Sequence, residues 1–296
     1  MGKAQRLKIG TVGLKQSPMP TDSEFAWRPD LSVEEIRRMA SALHDMNADL
    51  PNIVVTPESN LFYVGDLHGE LKSAIAVREL MARHPKHSVV FLGDYADRGP
   101  QQVETFNLVM SLALEHSDRV FMLRGNHESK EIAEVYGFYS EVSRHYSPGL
   151  FDSYLKVFES LPLAAFSPSG VFACHGGIPE GVNSSEQIAE IERHNINFPD
   201  DIAFQMVWND PREADFHFRA SSRSDRAREF GSLAFDEFTS DLSIKLMVRS
   251  HEVYEDGFQE FFDGGLMSVF SASYAGRVSP KVIRMDEGLK VRPVSI

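Results

Sequence analysis

An α/β fold is what this sequence predicts, and three observations carry the prediction. Apolar runs of strand length alternate with stretches of helical periodicity between residues 61 and 123. Five apolar runs, spread along the chain, each end in a side chain able to hold a metal. The chain is also long enough, at 296 residues, to bury a sizeable core.

The elements follow in order. Residues 1–30 carry Gly, Pro, Ser and Lys with little periodicity and are expected to form a loosely ordered extension. A single catalytic domain is expected over 31–296. Its first helix is announced by Ser32 with Glu35 three residues on, a capping box. Leu31 and Ile36 stand where a hydrophobic staple would, and Met39, Ala40, Leu43 and Met46 continue the apolar face. Pro51 and Pro57 bracket a connection. Strands are expected near 61–65, 88–92 and 119–123, with helices over 71–84 and 101–116 between them. That βαβαβ order favours parallel neighbours. Residues 129–168 read as mostly helical, and their aromatics, Tyr136 among them, as core. A fourth strand is expected at 170–174 and a polar helix at 184–195. The charged stretch 210–230 reads as an irregular functional loop. A helix over 233–242 precedes a run of short strands, which suggests an antiparallel sheet with a turn at Gly264-Gly265.

Composition excludes several classes of function. The net charge of -13 argues against nucleic acid and anionic membranes as partners. No stretch is long and uncharged enough for a transmembrane helix. The N-terminus lacks a signal-peptide core, and Arg6 stands where a myristoylation signal needs Ser or Thr. Cys174 is the one cysteine, so no internal disulfide forms and a reducing, cytoplasmic location is expected. In its apolar strand it reads as a small buried hydrophobe rather than a nucleophile. His44, His84, His87, His116, His145, His194 and His217 lie in polar segments and read as solvated.

The chemistry sits at the strand ends. LFYV leads to Gly65-Asp66-Leu67-His68-Gly69, and VVFL leads to Gly93-Asp94-Tyr95-Ala96-Asp97-Arg98-Gly99. VFML leads to Arg124-Gly125-Asn126-His127-Glu128, VFAC to His175-Gly176-Gly177, and LMV to Arg249-Ser250-His251-Glu252. Alone, any of these polar residues is ordinary. Six together are not, because burying several ionisable groups without a cation is expensive. Asp66, His68, Asp94, Asn126, His175 and His251 offer mixed oxygen and nitrogen donors, enough for two cations if Asp94 bridges. No thiolate takes part, and imidazole with carboxylate suits Mn, Fe or Zn. Two such ions, roughly 3.5–4 Å apart, activate a shared water and clamp a phosphoryl oxygen. Glu128 and Glu252 are candidates to support the ligands from behind.

The blocks GDLHG, GDYADRG, RGNHE, CHGG and RSHE, with the weaker Val207-Trp208-Asn209-Asp210-Pro211, resemble the phosphoprotein phosphatase family of metal-dependent Ser/Thr phosphatases, within the calcineurin-like metallophosphoesterases. The resemblance spans about residues 31–290. It implies a central β-sandwich of mixed sheets flanked by helices, with a dinuclear site at the strand ends. Asp66, His68 and Asp94 would hold one ion, and Asp94, Asn126, His175 and His251 the other. His127 would be the general acid, oriented by Asp97. Arg98 and Asn126 would face the phosphate. A second phosphate-binding arginine is expected after the Trp-Asn-Asp-Pro block, where the family's Arg-Gly pair is missing. Arg223 is the preferred match, with Arg226 and Arg228 as alternatives. Phe270-Ser271-Ala272-Ser273-Tyr274 resembles the family's substrate-side loop, one residue shorter, and would present Tyr274. The implied cofactors are two divalent ions, Mn first, with Fe or Zn as alternatives. Phosphoproteins would be the partners, with room for a regulatory subunit. Two other functions compete: hydrolysis of a small molecule such as a dinucleoside polyphosphate, and a catalytically silent phosphoprotein-binding module.

Overall fold

The structure is a computed structural model and describes residues 25–296. Residues 1–24, and with them most of the expected extension, lie outside the described residues. Phe25 and Trp27 pack on the core, and Trp27 Nε1 donates to the Glu104 carbonyl at 3.1 Å.

Two sheets stack face to face. One has the order β14 (Lys290–Ser295), β13 (Lys281–Asp286), β2 (Leu61–Val64), β3 (Ser88–Phe91), β4 (Val120–Met122). Strands β2, β3 and β4 run parallel, as the alternation predicts, and β13 pairs antiparallel with β2. The other sheet has the order β1 (Ile53–Val55), β5 (Ala164–Ser167), β6 (Val171–Cys174), β10 (Leu246–Arg249), β12 (Leu266–Val269), β11 (Phe258–Phe261). Here β6, β10 and β12 are parallel.

Period-two alternation explains why β2 is apolar throughout. Leu61 and Tyr63 point between the sheets, against Ala173, Val248 and Met267. Phe62 and Val64 point outward, into a cluster with residues of α1 (Val33–Asn47), α2 (Leu71–Arg83), α3 (Gln102–Glu115) and α6 (Pro148–Ser160). On the far side, Phe172, Cys174 and Met247 pack with α8 (Asp201–Trp208) and α9 (Ser232–Leu242). Each fully buried side chain of this size contributes about 1.5–3 kcal/mol. The Ser32–Glu35 capping box starts α1, and Leu31 and Ile36 are both buried. Short helices α4 (Lys130–Tyr136), α5 (Phe138–His145) and α7 (Ser185–Ala189) complete the described set.

Several expectations need correction. The C-terminal strands do not form one antiparallel sheet. Strand β10 lies parallel between β6 and β12, the Gly264-Gly265 turn joins the antiparallel pair β11–β12, and β13 and β14 belong to the opposite sheet. Strands β1 and β5 arise in segments read as connection and helix, because runs of three or four residues carry no period of their own. The stretch 210–230 is irregular only in part. It forms a third sheet, β7 (Asp210–Pro211), β9 (Arg228–Phe230), β8 (Phe218–Ala220), held by Arg212 and Arg219 on Glu229 at 2.7 Å each. The helix expected over 184–195 stops at Ala189. His87 is buried, not solvated, and stacks on Phe62 with ring centroids 4.8 Å apart.

Candidate metal centre

Strands β2, β3 and β4 of one sheet and β6 and β10 of the other all end at the same edge of the sandwich. Each is followed within four residues by one of the ligand candidates. The loops cross so closely that glycine is required. Gly93 has φ +109°, and a Cβ there would lie 2.3 Å from Gly125 N. A Cβ on Gly125 would lie 2.3 Å from Asp94 Oδ1. His68, Asp94, Asp97, Arg98 and His251 all take positive φ, between +43° and +75°, without being glycine. Each such residue costs roughly 1–3 kcal/mol and persists only where its surroundings over-determine it.

The surroundings do so through the backbone. Glu128 accepts from Asp94 N at 2.7 Å, Tyr95 N at 3.0 Å and Gly125 N at 2.9 Å, binding two ligand loops together. Burial first, and Asp94 second, push the Glu128 carboxyl up to about 7. His127 N donates to Asp94 Oδ1 at 3.0 Å. Asp66 Oδ1 accepts from Ser250 Oγ, and from His251 N at 3.0 Å. Arg249, fully buried, bridges Asp210 at 2.8 Å and Glu252 at 3.2 Å behind the site.

The remaining donor atoms converge. Asp94 Oδ2 lies 3.6 Å from His68 Nε2, 3.4 Å from His175 Nε2 and 3.9 Å from His127 Nε2. Asp66 Oδ2 lies 3.5 Å from His68 Nε2. His175 Nε2 is 2.9 Å from Asn126 Oδ1 and 3.1 Å from His251 Nδ1. Nδ1 of His68 donates to the Ala96 carbonyl and Nδ1 of His175 to the Leu92 carbonyl, both at 3.0 Å. Those bonds fix the tautomer and turn the Nε2 lone pairs toward the cluster. Two triads result, His68–Asp94–His127 and Asp94–His175–His251, with Asp94 in both.

This arrangement fits divalent cations. Among the described residues, Asp66 Oδ2 is buried without a hydrogen-bond partner. Two imidazole nitrogens face each other at 3.1 Å. A cation satisfies such donors, and a dry cluster without one leaves the Asp66 oxygen unpaired. Burial pushes the Asp94 carboxyl up, but His175, His127 and His68 outweigh it and hold it well below the usual range. Burial, then the charges of Arg223 and His175, lower His251 strongly.

Around this floor stand the other expected residues. Asp97 Oδ2 accepts from His127 Nδ1 at 2.6 Å, while its Oδ1 accepts from Phe138 N at 2.9 Å. Arg98 places Nη2 3.2 Å from His127 Nε2 and donates from Nη1 to Tyr274 Oη at 2.9 Å. Arg223 donates to Asp210, and its charge reaches His251. Arg226 is engaged instead by Asp201 and the Phe198 carbonyl, and Arg228 by Glu180. Cys174 is buried, which pushes its thiol up to about 12.

Two further residues stand at this rim, Tyr136, expected in the core, and Trp208, named in the Trp-Asn-Asp-Pro block without a role. Tyr136 is not core: it is 45 % exposed, with its ring 5.1 Å from that of His127 and 5.1 Å below the Arg98 guanidinium. Trp208 meets the His251 ring edge-on at 5.5 Å. Its neighbour Asn209 is buried, and its amide donates to the Ile178 carbonyl at 2.8 Å.

The calcineurin-like phosphoesterase family profile matches residues 60–255. Among curated proteins, the chain is 34% identical over 244 residues to the serine/threonine-protein phosphatase PP2A-like PPG1 of Candida albicans. That match takes in 82% of this chain and 58% of the relative, so the chain spans a little over half of that protein. It is 35% identical over 245 residues to the serine/threonine-protein phosphatase 4 catalytic subunit of Kluyveromyces lactis, covering 78% of each. Among solved structures, a Saccharomyces cerevisiae protein serine/threonine phosphatase with similarity to human PP5 superposes with TM-score 0.81 at 27% identity, over 90% of both chains. A cold-active protein-tyrosine phosphatase from Shewanella, at 17% identity and TM-score 0.59, shares the fold, covering 83% of this chain and 80% of its own. The chain belongs to the calcineurin-like phosphoesterase family, in its serine/threonine-protein phosphatase branch.

Proposed function

We propose that this chain is a metal-dependent protein phosphatase that hydrolyses phosphoserine and phosphothreonine. One observation carries the reading. A pinned imidazole, a phosphate-sized guanidinium and a buried donor cluster meet at one strand edge, with His127 Nε2 3.2 Å from Arg98 and 3.9 Å from Asp94. The names of the relatives supply the substrate class.

Asp66, His68 and Asp94 would hold one divalent cation, and Asp94, Asn126, His175 and His251 a second. Mn suits these donors, with Fe or Zn as alternatives. When bound, such a pair supplies Lewis-acid polarisation and a water of lowered pKa. The chain does the rest. Arg98 and Arg223 draw in the phosphoryl oxygens and neutralise charge as the bond to the leaving oxygen breaks. Asn126 and Tyr274 would face the same phosphate. Asp97 holds the Nδ1–H of His127, so the second proton sits on Nε2 and passes to the departing serine or threonine alkoxide. Direct hydrolysis needs no nucleophile from the chain, in keeping with a thiol as buried as Cys174. A phosphoprotein substrate, a regulatory subunit and a cytoplasmic setting accompany this reading.

The test compares turnover of a phosphoserine peptide and of a dinucleoside tetraphosphate by the purified chain with added Mn²⁺. Hydrolysis of the peptide at the higher kcat/KM is expected. Preference for the dinucleotide, or peptide binding with no turnover at all, overturns the proposal.

A further inference from the structure

The geometry points to Glu70 as a positioning residue that sets the phosphate-binding arginine from a distance, by latching the loop that carries Tyr274. The inference rests on the reading of Arg98 as a phosphate contact.

Glu70 directly follows the ligand turn Gly65–Gly69 and flanks the start of α2. Its carboxylate does not cap that helix in the usual way. It accepts instead from the backbone N–H of Ser273, from the Ser273 hydroxyl, and from Ser73 Oγ at 2.6 Å. Three donors thus converge on one acceptor-only group, for which a carboxylate has the lone pairs. The contact joins residues 203 positions apart.

The loop needs such an anchor. Tyr274 and Ala275, next in sequence to Ser273, both take the left-handed conformation, at φ +50° and +60°. Side chains with a Cβ resist it, and two in succession hold only when tied on either side. One side is Ser271, whose N–H donates to the Asp66 carbonyl at 3.2 Å. Another is Val278 N, which donates to the Ser273 carbonyl at 2.9 Å. Glu70 ties the residue between them. So held, Tyr274 Oη accepts from Arg98 Nη1 at 2.9 Å, and the Tyr136 ring supports the same guanidinium from another side. Arg98 itself has positive φ, so its direction is set by these contacts rather than by a relaxed backbone.

Glu70→Ala releases Ser273 and leaves Tyr274 free to leave Arg98. Glu70→Gln keeps a carbonyl acceptor for Ser273 N, and its amide can donate to a rotated Ser273 hydroxyl. The experiment measures inorganic phosphate binding by calorimetry on the Mn²⁺-supplied protein, phosphopeptide kcat and KM, bound metal, and thermal melting. Glu70→Ala is expected to weaken phosphate binding and raise KM about tenfold, the scale of one charge-assisted hydrogen bond. The change in kcat should stay within about threefold, with metal content unchanged, and Glu70→Gln should recover most of the loss. Tyr274→Phe should weaken phosphate similarly, and the double variant Glu70→Ala/Tyr274→Phe should lose little more than either single one. Losses that multiply, unchanged phosphate affinity, or a shared loss of metal and melting temperature in both Glu70 variants would overturn the latch. If the wild type fails on the phosphopeptide, the phosphatase reading falls, while the phosphate-binding order still decides the latch.

Discussion

The floor of the site and its rim are built differently. On the floor, Asp66 and His175 are fully buried, and Asp94 and Asn126 nearly so. The loops there are pinned by backbone hydrogen bonds, four of the five also by glycines that admit no Cβ, and two of them by Glu128 at once. On the rim, Arg223 stands on the loop between β8 and β9 of a small sheet of two- and three-residue strands, with 30 % of its side chain exposed and a single buried partner, Asp210. Rigid groups that must not move are embedded in the sandwich. The groups proposed to meet substrate are held by a few contacts that water can reach, Arg223 by Asp210 and Arg98 by Tyr274 and His127. A substitution on the floor should therefore act through many contacts, and one on the rim through few.

His127 is the sharpest probe of that contrast, because it touches both regions. Replacing it with alanine is expected to cut kcat by about 10²–10⁴, the range for a positioned acid. Metal content should remain near that of the wild type. Loss of the metals in this variant would move His127 from proton donor to structural ligand and blur the boundary drawn here. The rim should respond less. Arg223→Ala is expected to raise KM for a phosphopeptide about tenfold, and Arg226→Ala less than about twofold. Asp210 keeps Arg249 as partner in the first variant, so melting should change little. The reverse ranking of the two arginines in steady-state kinetics would reassign the second phosphate contact.

The same contrast explains what could be read from the sequence. Each floor loop follows an apolar run, and all but the one after β10 carry a glycine, so Gly93 and Gly125 announced the geometry as clearly as Asp94 and Asn126 announced the chemistry. The capping box at Ser32 and the parallel order of β2, β3 and β4 were legible for similar local reasons. The rim was not. Strands of two or three residues such as β7 and β8 show no periodicity, and ion pairs such as Arg212 with Glu229 join residues that sequence spacing does not relate. Parallel placement of β10 depended on which sheet received it, a fact settled by packing across the sandwich. Tyr136 looked like its buried neighbour Phe138, since an aromatic at a helix end has the same local signature whether it turns inward or toward a site.

Everything proposed about catalysis depends on Asp94 being shared by two cation positions. Calorimetric titration of chelator-stripped protein with Mn²⁺ tests this directly. Two equivalents per chain are expected for the wild type and close to none for Asp94→Ala, provided the variant melts as a folded protein. A single equivalent in the wild type, or two retained by Asp94→Ala, would contradict the account.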